Sequence, residues 1–121
     1  MLYAVLCYHD EGEVMAWTKE QDDAVLAKRA VVQRKYAAQG KVGPVVRLMP
    51  TTAATTVRPG REAVVMDGPF AETKEQLLGF YVIDCEDLAE AVEFARELGQ
   101  GETGALEVRP LQIYQPDSRG K

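Results

Sequence analysis

Apolar positions recur along this chain in two periods, and the switch between them marks the elements. From Leu2 to His9 apolar residues fill both alternating sets: Tyr3, Val5, Cys7 and His9 on one side, Leu2, Ala4, Leu6 and Tyr8 on the other. A strand apolar on both faces is a central strand covered on both sides. Glu11 to Trp17 reads as a loop. Residues 19–39 then read as a helix: Thr18 with Gln21 three residues on makes a capping pair, and Gly40 ends it. At 100° per residue Val25, Leu26, Val32, Tyr36 and Ala37 fall on one face, with Arg29 and Gln33 in the middle of that stripe. An arginine there needs a carboxylate partner or a route to water.

Residues 42–49 predict a second strand. Residues 55–58 and 61–66 predict a hairpin, with Pro59-Gly60 suited to a type II turn. A loop over 67–76 follows, then a strand over 79–84, again apolar on both faces. Residues 87–98 read as a helix burying Leu88, Ala91, Val92, Ala95 and Leu98, capped by Asp87 with Glu90 and stopped by Gly99. Residues 105–110 form the last strand, extended by 111–114. The order β-α-β-(ββ)-β-α-β is the ferredoxin-like split βαβ plan, an α+β fold with an inserted hairpin. Two helices cover one sheet face. The other apolar face predicts a homodimer with sheets facing each other.

Length and composition fit this picture. The 121 residues, 46% apolar and 27% charged, suit one domain over 1–114 with a polar, frayed tail over 115–121. A net charge of −5 argues against nucleic acid and against an anionic membrane surface. No apolar run reaches membrane-spanning length, and the N-terminus lacks a signal peptide's basic region, which predicts a cytoplasmic protein. Two isolated cysteines, which strand adjacency could bring together, make no disulfide framework. A single histidine leaves no metal site, and no cofactor motif is present.

Candidate chemistry gathers on a few residues. Asp67 lies before the stiff Gly68-Pro69 bend, where its carboxylate can act as a base or brace the turn. His9 ends a central strand and titrates near neutrality in its free form. Asp67 and His9 are therefore the candidate acid/base residues. Arg29, Phe70, Glu72 and Lys74 are the candidate ligand contacts, with Phe70 also readable as a plug and Glu72 with Lys74 as a solvated pair.

The run Asp67-Gly68-Pro69-Phe70-Ala71-Glu72-Thr73-Lys74-Glu75-Gln76-Leu77, followed by Gly79-Phe80-Tyr81, resembles the signature of the DGPF proteins of the YCII-related family. Thr55 to Arg58 and Glu107 to Pro110 are similar to that family too, so the likeness spans residues 2 to about 114. The resemblance implies a ferredoxin-like fold dimerised as an α+β barrel, with no reaction established for most members. Wider relatives are thought to pair a helix histidine with an aspartate. Aligned on Gly40, that histidine falls at Arg29, which cannot serve as a base. The expected function is therefore a pocket near Asp67 for a small neutral or anionic molecule, with possible isomerase- or lyase-type chemistry. The alternative is a non-catalytic sensor or accessory module, which the resemblance allows to be linked to a sigma factor.

Overall fold

The computed structural model describes residues 1–117; the last four residues of the expected tail, 118–121, lie outside the described residues. In chain order the elements are β1 (Leu2–His9), α1 (Glu11–Ala16), α2 (Lys19–Ala37), β2 (Val42–Arg47), a 3-10 turn at Thr51–Ala53, β3 (Thr55–Arg58), β4 (Val64–Asp67), β5 (Gln76–Asp84), α3 (Leu88–Leu98) and β6 (Ala105–Pro110). The fold is α+β. Its main sheet has the order β2-β5-β1-β6, and its three pairings are antiparallel. That order is compatible with the ferredoxin-like plan. β3 and β4 pair separately as a two-stranded arm.

The core lies between the sheet and the helices. Tyr3, Val5 and Cys7 from β1 and Tyr81 and Ile83 from β5 meet Tyr36 of α2 and Ala91, Phe94, Ala95 and Leu98 of α3. Phe94 is its centre: Tyr36 stands edge-on to it at 4.9 Å and Tyr81 at 5.7 Å. Edge-to-face pairs of this kind add about 0.5–1.5 kcal/mol each beyond burial.

Both expected helix starts are realised. Thr18 and Gln21 form a reciprocal capping box, and Asp87 accepts from the Glu90 N–H at 2.9 Å. Gly40 closes α2 with φ +71, in the left-handed region.

Several expectations fail for physical reasons. Glu11 to Trp17 is not a loop. Asp10 caps a short helix there, and Glu11 ties it to the next layer by accepting from the N–H and hydroxyl of Thr51. The hairpin turn is not type II, because Gly60 lacks the positive φ that turn demands. Arg58 pairs with Val64, which leaves residues 59–63 as a wider loop. Leu88 and Val92 are exposed, while Phe94 takes the fully buried position. β2 stops at Arg47, β5 begins three residues early at Gln76, and β6 ends at Pro110 rather than running on to Tyr114. Cys7 pairs with Gly79, whereas Cys85 lies beyond the Leu2–Asp84 pair, so the two thiols sit toward opposite ends of their strands.

Candidate ligand-binding site

A cavity of about 630 Å³ opens between the helical layer and the sheet. Its origin lies in α2. The middle of that helix aims small or polar groups at the sheet: Arg29, Ala30 and Gln33 line the void beside Val25 and Leu26. Tyr36, nearer the C-terminal end, is the one buried residue of α2. Without bulky side chains the helix cannot fill the space it spans. The remaining wall comes from Val45, Tyr81, Val92, Ala95, Leu106 and Val108, so most of the lining is apolar.

Asp22, Gln33, Arg47 and Arg96 also line the void, but two shielded groups, Arg29 and His9, set its chemistry. Arg29 reaches Glu102, Nε donating to Oε2 at 3.0 Å and Nη2 to Oε1 at 2.7 Å. The pair is largely shielded, with side-chain exposures of 18% and 10%. Nη1 is left on the Cys7 Sγ at 3.5 Å, a weak acceptor. Lys28 also donates to Glu102 and to the Gln100 carbonyl at 2.6 Å. This corner thus carries two cations against one carboxylate and keeps a positive excess. Burial pulls Arg29 down, but Glu102 and the neighbouring Cys7 more than reverse that and hold its guanidinium above the ordinary value. Burial likewise pushes the Glu102 carboxyl up, yet Arg29 and Lys28 leave it below its ordinary range. Burial pushes the Cys7 thiol up, only partly offset by Arg29, so it is no nucleophile at neutral pH.

The second polar group is His9, 7% exposed and edge-on to Trp17 with ring centroids 5.9 Å apart. Nδ1 lies 3.0 Å from the Asp10 carbonyl and Nε2 lies 2.7 Å from the Thr103 Oγ1. A carbonyl only accepts, so these partners assign the proton of the neutral ring to Nδ1, and Nε2 accepts from the Thr103 hydroxyl. Glu13 adds a carboxylate 3.8 Å from Nε2.

One short segment delivers both partners. Glu102 and Thr103 sit between Gly101 (φ +78) and Gly104 (φ +91). Neither left-handed position suits a residue with a Cβ. At Gly104 a Cβ would also meet the Tyr8 carbonyl oxygen at 2.5 Å and the His9 Cδ2 at 2.7 Å.

The cavity therefore gathers His9 and Arg29 of the expected site residues and leaves out the rest. Asp67 is the last residue of β4, paired with Thr55 and exposed. The bend after it is held by other groups: Gly68 N–H donates to the Ala54 carbonyl and the Thr56 hydroxyl donates to the Gly68 carbonyl, both at 2.7 Å. Phe70 is 73% exposed and plugs nothing in its own chain. Glu72 and Lys74 are exposed on the same stretch. Glu102 and Thr103 escaped the sequence reading. Arg29 signalled the need for a carboxylate, but Glu102 lies 73 positions away. Gly99-Gln100-Gly101-Glu102 fits no nucleotide-loop spacing; the density of glycines at 99, 101 and 104 is the local signal of a bent segment. Among the described residues no group of side chains could hold a metal ion, and no helix is long and apolar enough to cross a membrane.

Comparison with known proteins agrees with the signature at Asp67-Gly68-Pro69-Phe70. An uncharacterized protein of Rhizobium meliloti (strain 1021) is 60% identical over 119 residues, covering 96% of both chains. The YCII-related domain matches residues 1–113, and the chain belongs to that family.

Proposed function

We propose that this protein binds a small, mainly apolar molecule bearing an anionic or hydrogen-bond-accepting group in the cavity beneath α2. The observation that carries this reading is the pairing of a 630 Å³ apolar void with a cationic corner at Arg29 and a buried imidazole at His9. Such a volume and such sparse, placed polarity are typical of small-molecule sites. Where the ligand reacts, proton transfer of the isomerase or lyase type suits the groups present. His9 Nε2 is the acceptor nitrogen, oriented from behind by the Asp10 carbonyl, and Arg29 can steady a developing oxyanion. In this reading Asp67 is not a member of its own chain's cavity.

A thermal-shift screen of small carboxylic acids and phenols tests the reading. Acids should raise the melting temperature of the native protein, Arg29→Met should remove that response, and Asp67→Asn should keep it. Loss of the response in Asp67→Asn with retention in Arg29→Met would move the site to the bend after β4.

A second reading has its own support. Val57, Val64, Val65, Met66 and Phe70 are all exposed on or beside the β3–β4 arm, and a two-stranded ribbon is marginal alone. The arm suits a protein partner, as an accessory or sensor module would need. The outer sheet face, where Leu6, Val46 and Phe80 are only half-buried, suits the expected twin chain and closure into an α+β barrel. Light scattering that returns the mass of one chain would remove the dimer.

A further inference from the structure

The two groups in the cavity with useful chemistry are both already occupied, and by adjacent residues. Glu102 covers the Nε–Nη2 edge of Arg29, the edge on which a carboxylate sits with two parallel hydrogen bonds. Thr103 covers His9 Nε2, the one nitrogen of that ring that can accept a proton. Both belong to a segment with left-handed glycines at either end, Gly101 and Gly104. Lys28 contacts the same segment from outside, and with a side chain 34% exposed it can follow Glu102 outward.

We infer that Glu102 and Thr103 act as an internal stand-in for the ligand, their carboxylate and hydroxyl filling the places that a hydroxy or keto acid takes when it binds. This rests on the reading of the cavity as a ligand site and names the chemistry of its occupant. The geometry sets the spacing. Arg29 Nη1 touches Cys7 Sγ, and Cys7 and His9 lie two residues apart on one face of β1, about 7 Å along the strand. The occupant thus carries a carboxylate for Arg29 and a hydroxyl or carbonyl for His9 roughly two or three carbons away, with an apolar body for the remaining lining. Binding displaces Glu102 toward Lys28 and water, so the loss of one carboxylate at Arg29 is matched by the gain of another. The charge facing Arg29 is conserved, and the positive excess of the corner is neutralised by the second carboxylate. Self-occupancy lowers the apparent affinity by the fraction of chains in which the segment is open.

The sign of the mutational effect separates this device from a structural ion pair. The probes are 3-hydroxybenzoate, its deoxy analogue benzoate and its neutral analogue 3-hydroxybenzamide, titrated by calorimetry into the full chain. Glu102→Gln frees Arg29 and should tighten 3-hydroxybenzoate on the order of tenfold, with no gain for the amide. Glu107→Gln, on the outer sheet face, removes the same charge and should change binding by no more than about twofold. Thr103→Val frees His9 Nε2 and should tighten 3-hydroxybenzoate while leaving benzoate unchanged. In the unaltered chain, saturation with 3-hydroxybenzoate should speed hydrogen exchange of the amides from Gln100 to Ala105, because the segment is released. That readout holds even where Glu102→Gln fails to fold.

Two results overturn the inference. One is a Glu102→Gln chain that binds 3-hydroxybenzoate no better than Glu107→Gln. The other is slower exchange over Gln100–Ala105 on ligand binding. Either outcome, with the native chain still binding the acid, leaves the cavity as a ligand site and removes only the stand-in. No binding of any probe by any of these chains removes both.

Discussion

Replacing Gly104 by alanine is the sharpest test of how the site is held. Two costs should add. The first is conformational: φ +91 is a left-handed backbone, and an L-residue with a Cβ is disfavoured there by about 1–2 kcal/mol. The second is steric. The new methyl would stand 2.5 Å from the Tyr8 carbonyl oxygen and 2.7 Å from the His9 Cδ2. The carbonyl is backbone near the end of β1 and the ring is wedged against Trp17, so neither yields easily. Overpacking of this kind costs about 1–3 kcal/mol. Gly101 supplies the control. It has φ +78, yet nothing lies within 4 Å of its would-be Cβ, so Gly101→Ala carries the first cost alone. Urea unfolding of both variants should therefore place Gly104→Ala about 1–3 kcal/mol below Gly101→Ala. Because His9 is the only histidine, its ring resonances report the site without ambiguity, and they should shift in Gly104→Ala but not in Gly101→Ala. Equal stabilities with an unmoved histidine signal would refute the close approach of residue 104 to His9.

Other expectations follow from the same contacts. Arg29→Met leaves Glu102 in a shielded place with Lys28 as its remaining cation, and should cost about 2–4 kcal/mol in denaturant unfolding. The double variant Arg29→Met/Glu102→Met should recover most of that loss, since removing a shielded pair together is far cheaper than removing one partner. Glu102's carboxyl sits below its ordinary range in the fold, so it binds protons less readily there than in the unfolded chain. Its contribution is fully present above the unfolded value of about 4.3 and is lost as pH falls through the folded value, so Glu102→Gln should flatten the stability profile below about pH 4. Burial raises both thiols, Cys85 to about 11, so neither should react with a thiol reagent at neutral pH until the chain is unfolded; fast reaction of the native protein would contradict their placement. Ala30→Leu extends into the cavity and should raise stability by about 1 kcal/mol while abolishing the thermal response to acids.

What the sequence revealed depended on the distance over which each signal acts. The caps at Thr18 and Asp87 were legible because donor and acceptor lie three residues apart, and the stop at Gly40 because a left-handed glycine is a single-residue device. The helix at Glu11–Ala16 was not. It presents Val14 alone as a half-buried apolar residue, so it shows no 3.6-residue period, and it is steadied by contacts to Thr51 and Gln76, which are 40 and 65 positions away. Arg29 showed the same boundary within the site. Its place in an apolar stripe revealed an unmet need, but the partner that meets it depends on how the segment after α3 returns to β6. Asp67 shows the opposite case. Its surroundings look like a site because Gly68 and Pro69 make a rigid bend, yet the bend is braced by Thr56 and by backbone groups, and the carboxylate stays exposed.

The two helices share the covering of the sheet unequally, and that inequality is the source of the cavity. α3 has a strong apolar stripe and buries Ala91, Phe94, Ala95 and Leu98, which closes the core against β1 and β5. α2 is longer by eight residues but only weakly amphipathic; it docks through Val32 and Tyr36 in its C-terminal half and stands over the sheet elsewhere. A helix of that length needs something to fix its other end, because an unpacked face contributes little to holding it. The fixing contacts are polar. Lys28 and Arg29 tie the middle of α2 to Glu102, and Arg47 of β2 ties its first turns to Asp22 at 3.0 Å. Arg29 therefore does double duty: with Glu102 it braces a helix that packing alone leaves unsupported, and it supplies the charge at the wall of the cavity. A braced span can keep a void open where a packed one would close over it, which is why the stability of α2 and the affinity of the site are set by the same few side chains.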